Sequence, residues 1–122
     1  KDKEMNIKLG LSLAVLFMVT SCAVTPERTR SRGVTDFQLF PAPLPTVAAC
    51  IADNLKKTTS HNVIEEKNSV MAVTGGITAR VYDLEEVAGG TTVILYAKNL
   101  EYYETQSKLV IEYCRNKLAT PN

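Results

Sequence analysis

From residue 46 onward the apolar positions fall into two periods. Thr46 reads as a helix N-cap. Val47, Cys50, Ile51, Asn54 and Leu55 then follow the i, i+3, i+4, i+7, i+8 spacing of one helical face. Lys56 and Lys57 close the last turn, where cations suit the helix dipole, and the polar run from Thr58 to Asn62 stops it. The period then shortens to two. Asn62 to Glu66 begins a weak strand, and Val70 to Thr74 is a richer one that stops at Gly75-Gly76. Ile77 to Leu84 alternates Ile77, Ala79 and Val81 against Thr78, Arg80, Tyr82 and Leu84. Thr91 to Ala97 sets Val93, Leu95 and Ala97 against Thr92, Ile94 and Tyr96. Between these two lies Glu85 to Gly90, whose paired glycines permit the positive φ of a hairpin turn. A helical period returns from Tyr102 to Leu118. Tyr103, Gln106, Val110, Cys114 and Lys117 share one line, which Leu109 and Tyr113 widen.

Upstream the pattern changes character. Residues 22–45 are polar and aperiodic at first, with Arg28, Arg30 and Arg32, and then alternate Pro41, Pro43 and Pro45 with Ala42 and Leu44. This stretch predicts an extended tether spanning roughly 25 Å. Phe37, Leu39 and Phe40 are its apolar cluster, expected to dock on the domain, with a partner as the alternative. Further upstream, Lys8 precedes about ten apolar residues that end in Val19-Thr20-Ser21-Cys22. A charged start, a short apolar run and small residues before a cleavage point are the parts of an export signal. The run is shorter than the ~20 residues of a membrane-spanning helix. Met5 is the expected true start, since Asp2 and Glu4 do not suit such a signal.

The four residues Val19-Thr20-Ser21-Cys22 resemble the lipobox of bacterial lipoproteins. The resemblance covers about a sixth of the chain. It implies cleavage after Ser21, a signal peptide over 1–21, and a diacylglyceryl group and acyl chain on Cys22. Two or three acyl chains make a stable membrane anchor. Ala23 follows the cysteine where an aspartate would retain such a lipoprotein in the inner membrane, so the resemblance implies an outer-membrane lipoprotein facing the periplasm.

On that reading lipidation uses Cys22 and leaves Cys50 and Cys114 as a pair in an oxidising compartment. The expectation is an intramolecular disulfide; separate buried thiols and an intermolecular bond are the alternatives. Both cysteines lie on the predicted buried faces of their helices. The predicted fold is α+β: a small α-β-β-β-α domain over 46–119, with an antiparallel sheet and two helices on one face joined by Cys50–Cys114.

Charge changes the picture little. The 14 Lys and Arg nearly balance the 13 Asp and Glu, so no global field favours nucleic acid. His61 is the single histidine, no nucleophile motif accompanies it, and neither a metal site nor an enzyme is expected. Glu65-Glu66 and Glu85-Glu86 are doublets that neighbouring strand positions would point to opposite faces. The candidate binding surface is the sheet face opposite the helices. If the helices cover Val81, Val93 and Leu95, then Tyr82, Leu84, Ile94 and Tyr96 face outward, flanked by Arg80. A homodimer mate would also cover such a face.

In layout the chain resembles pilot and assembly-factor lipoproteins of secretion and outer-membrane machines. That implies a membrane-anchored accessory factor that binds an envelope protein, with no cofactor beyond its own acyl groups. The alternative is a periplasmic inhibitor or immunity-type lipoprotein that plugs an enzyme with the loop Glu85 to Gly90.

Overall fold

A computed structural model describes residues 24–98 and 101–119; Cys22 and the leader 1–21 lie outside the described residues. The elements in chain order are α1 (Pro26–Ser31), β1 (Asp36–Phe40), α2 (Leu44–Thr58), β2 (Asn62–Glu66), β3 (Ser69–Thr74), β4 (Ile77–Val87), β5 (Gly90–Tyr96) and α3 (Glu101–Ala119). The strands form one antiparallel sheet in the order β1-β5-β4-β3-β2. The class is therefore α+β, as the periodicity predicted, with five strands where the α-β-β-β-α reading had three, and one short helix more.

The weak run Asn62–Glu66 is a full strand, and β1 and α1 come from the stretch read as a tether. α1 is capped by Thr25, whose hydroxyl accepts from the Arg28 amide at 3.3 Å, and Pro26 opens its first turn. β1 pairs along β5 from Asp36 opposite Leu95 to Phe40 opposite Thr91. The segment from Val24 onward thus belongs to the folded unit, and the expected domain boundary at 46 moves upstream. β1 was hidden because its pattern is inverted. Phe37 and Leu39 face solvent, while Asp36 and Gln38 alternate with them and only Phe40 enters the core. A five-residue strand of that kind, running into Pro41, carries no apolar-inward alternation to read.

The core joins Val47, Cys50, Ile51 and Leu55 of α2 and Val110, Ile111 and Cys114 of α3 to Val70, Tyr82, Leu84, Val93 and Leu95 of the sheet. Cys50 and Cys114 are disulfide-bonded, with Cα atoms 5.9 Å apart. The apolar line predicted for α2 is buried apart from a half-buried Asn54. Its start differs: Pro43 is the cap residue and Pro45 sits in the first turn, where its missing N–H would have no helical partner anyway. Along α3 the stripe widens on the other side from that expected. Ser107 and Ile111 are buried, whereas Leu109 and Tyr113 are about half exposed.

The β4–β5 connection is a tight hairpin. Pairing continues to Val87 opposite Gly90, which leaves Ala88 and Gly89 as the turn. Glu85 to Gly90 is therefore ladder and turn, the tip of a hairpin. Gly75 and Gly76, both at positive φ (55° and 79°), make the equally tight β3–β4 turn.

Candidate functional site

Register decides which side chains share a face, because residues directly opposite in a ladder point the same way. Tyr82 lies opposite Leu95, and Leu84 opposite Val93. Val70 lies opposite Tyr82, and Ala72 opposite Arg80. Arg80, Tyr82 and Leu84 therefore sit on the core face, each at least 95 % buried. Val81 goes the other way with Ile94 and Tyr96, its register neighbours being Met71 and Tyr96. The five-residue patch expected from the sequence is thus divided. The alternation within β5, and within β4 from Arg80 to Leu84, was right; a register shift opposite Ala72/Val73 breaks it between Thr78 and Arg80, and the choice of which β4 set shares a face with which β5 set was wrong. Alternation alone does not fix that choice; the length of the hairpin turn does.

The buried half of that patch forms a polar cluster. The Tyr82 hydroxyl donates to the Ser107 carbonyl oxygen at 3.0 Å, and burial pushes its pKa up to about 12. The Arg80 guanidinium lies 5.7 Å from the centre of the Tyr103 ring, a cation–π arrangement in a desolvated setting. The His61 ring lies 5.9 Å from that ring, tilted by 53°. Burial first, and the charge of Arg80 second, hold His61 below the ordinary histidine range. Arg80 Nε and His61 Nδ1 are enclosed without a hydrogen-bond partner among the described residues. The cluster locks α3 to β4. Arg80 itself is 4 % exposed.

The outer face of the sheet is covered on one side by α1. Arg30 grips Asp83 with both ends of its guanidinium: Nε donates to Oδ2 at 2.7 Å and Nη2 to Oδ1 at 2.8 Å. Ser69 donates to the same carboxylate at 2.6 Å. The Thr29 hydroxyl, fully buried, donates to the Thr78 carbonyl oxygen at 2.7 Å. Burial alone would raise the Asp83 pKa, but the hydrogen bonds from Arg30 and Ser69 and the charge of Arg30 outweigh it and hold the carboxyl below its usual range. Arg30, read from the sequence as part of a polar tether, is committed to the sheet.

Beyond α1 this face is open. Phe37 and Leu39 on the edge strand β1 are 57 % and 53 % exposed, and Phe37 stands directly opposite the half-buried Ile94. A depression of about 430 Å³ lined by Asn68, Ser69, Asp83, Leu84, Glu85 and Ile94 continues the surface toward the β4–β5 hairpin. The sequence marks Phe37 and Leu39 as residues that dock on the domain or, as the alternative, on a partner. Phe40 docks on the domain, and the other two do not. Among the described residues no three His, Cys, Asp or Glu side chains converge to hold a metal ion. No described helix is long and apolar enough to cross a membrane.

Comparison with protein families, curated proteins and solved structures gave no match for this chain.

Proposed function

We propose that this chain is a bacterial envelope lipoprotein, anchored through acylated Cys22, that binds another envelope protein with the outer face of its β1–β5 edge. In this reading α2 and α3 lie side by side over the core face of the sheet, and the opposite face is the working surface. The observation that carries the binding role is the outward pair Phe37 and Leu39 beside Ile94. Single exposed apolar residues are ordinary, but large ones aligned on an edge strand are not. β1 is the last strand on its side of the sheet, an edge to which a strand could be added, with the Phe37 amide donating to Asp36 Oδ1 at 2.9 Å. Edge strands are usually blunted by charge or proline; here the outward positions within β1 are aromatic and aliphatic. The Cys50–Cys114 disulfide supports an oxidising compartment such as the periplasm.

Crosslinking in intact membranes, followed by mass spectrometry of co-purifying proteins, tests this reading. The full chain, Cys22→Ala, and the pair Phe37→Ser with Leu39→Ser are compared. One dominant partner that is weakened by both sets of substitutions is the expected result. A partner retained at full yield by the Phe37/Leu39 variant would move the interface elsewhere. Absence of acyl groups on Cys22 would remove the lipoprotein assignment.

A further inference from the structure

The described chain begins at the sheet itself. The Val24 amide donates to the Gly76 carbonyl oxygen at 3.2 Å, and the Val24 carbonyl oxygen accepts from the Thr78 amide at 3.0 Å. Val24 thereby forms a parallel bridge with Ile77, the first residue of β4. One residue, Ala23, separates Val24 from Cys22, and that two-residue step of fully extended chain reaches at most ~7 Å. An acyl group on Cys22 would hold this end of the sheet within that reach of the headgroups.

The register identifies what else lies at the same end. Thr74 pairs with Ile77, and Val81 pairs with Tyr96, so β3 ends, β4 begins and β5 ends there. β1 begins there too, because the Thr35 amide donates to the Leu95 carbonyl oxygen at 2.7 Å. α3 starts at this end, with Tyr103 against Arg80 and against His61 just before β2. The exposed apolar side chains at this end are Val34 (48 %), Ile77 (44 %) and Tyr102 (67 %), and Lys98 is exposed among them. Tyrosine, aliphatic side chains and a lysine are what a membrane interface accommodates.

We infer that the folded unit sits directly on the bilayer, with the Val24–Ile77 end and the β3–β4 turn against the lipid headgroups. This rests on the lipoprotein reading above and goes beyond it by fixing an orientation. The strands then stand away from the membrane. The eleven residues of β4 place Val87 roughly 30 Å farther out than Ile77. The Pro41–Pro43 segment and the β4–β5 hairpin become the distal tip. Phe37 and Leu39 face sideways, parallel to the bilayer, and the partner they fit is one held at the same membrane.

The test uses full-length, acylated protein reconstituted into vesicles of phosphatidylethanolamine and phosphatidylglycerol that carry a headgroup-attached quencher. Three variants, Ile77→Cys, Tyr102→Cys and Val87→Cys, are each labelled with a small fluorophore. All three positions are solvent-exposed, and Tyr102→Cys provides a second reading should Ile77→Cys fold poorly. Mass spectrometry first establishes the acyl groups on Cys22. Quenching at positions 77 and 102 several-fold greater than at 87 is the expected result. Equal quenching at all three, or more at 87, in acylated protein overturns the orientation and leaves the lipoprotein reading standing. A Cys22 that carries no acyl group overturns both.

Discussion

Arg30 and Asp83 form a two-pronged ion pair across fifty-three residues of chain, with nitrogen–oxygen distances of 2.7 and 2.8 Å. It fastens α1 to the middle of β4 and gives the N-terminal segment a fixed place on the sheet. Both side chains are less than one-third exposed, so water screens the pair only partly. Arg30→Ala is expected to lower stability at neutral pH by about 1–2 kcal/mol. The pH dependence follows from the lowered pKa of Asp83. A carboxyl whose folded-state pKa is depressed stabilises the fold above its unfolded value of about 3.9 and loses that contribution as pH falls toward the folded value. The difference between wild type and Arg30→Ala should therefore be constant from pH 5 to 7 and shrink below about pH 4. Denaturant titrations across that range check it; a gap that persists at pH 2 would mean the contact acts through packing instead.

Cys50 and Cys114 join the two long helices across a sequence separation of 64. Closing a loop of that size removes enough freedom from the unfolded chain for about 4 kcal/mol in the chain-entropy model. Melting under reducing conditions should lose stability of that order, a large share of what a domain this small has. A Cys50→Ala/Cys114→Ala protein should behave like the reduced one, with a further small loss from the space vacated in the core.

Gly90 opens β5 where the chain passes close to β1. A methyl group built there would overlap the Phe40 carbonyl, which is backbone and has nowhere to move. Its φ of 153° adds a conformation that side chains disfavour. Gly90→Ala is expected to cost about 1–3 kcal/mol. Gly89→Ala is the useful comparison, because a Cβ at Gly89 meets nothing and only the positive φ of 88° opposes it. Thermal melts of the two should rank Gly90→Ala as the more damaging.

Phe37 and Leu39 contribute little to holding the fold, since more than half of each is in water. Phe37→Ser and Leu39→Ser should each change stability by no more than about 0.5 kcal/mol, with a further allowance for lost strand preference. Phe40→Ser is the contrast: that side chain is fully buried, and its loss should cost several kcal/mol. Chemical denaturation of the three proteins checks both statements. A large effect at Phe37 would indicate that this face is covered within the folded chain.

Helices α2 and α3 were legible because burial on one side of a helix leaves a 3.6-residue period, as at Val47, Cys50, Ile51 and Leu55. The strands β4 and β5 were legible for the same reason at period two, and β3 as a short apolar run ending in two glycines. Within β5, and within β4 from Arg80 to Leu84, the sequence also separated the two faces correctly. It placed Cys50 and Cys114 on the buried sides of their helices, and the structure joins them.

Only the tertiary structure decided how those faces combine. Periodicity is a property of one segment, whereas register is a property of two. A shift of one residue between β4 and β5 exchanges the entire outward set, and the two-residue hairpin at Ala88-Gly89 placed Tyr82 and Leu84 in the core. The segment from Val24 to Phe40 was decided in the same way. Nothing local makes Asp36 to Phe40 a strand; pairing with β5 on one side, and the grip of Arg30 on Asp83 beneath α1, hold it in place. Those contacts lie more than fifty residues apart in sequence, and no local pattern records them.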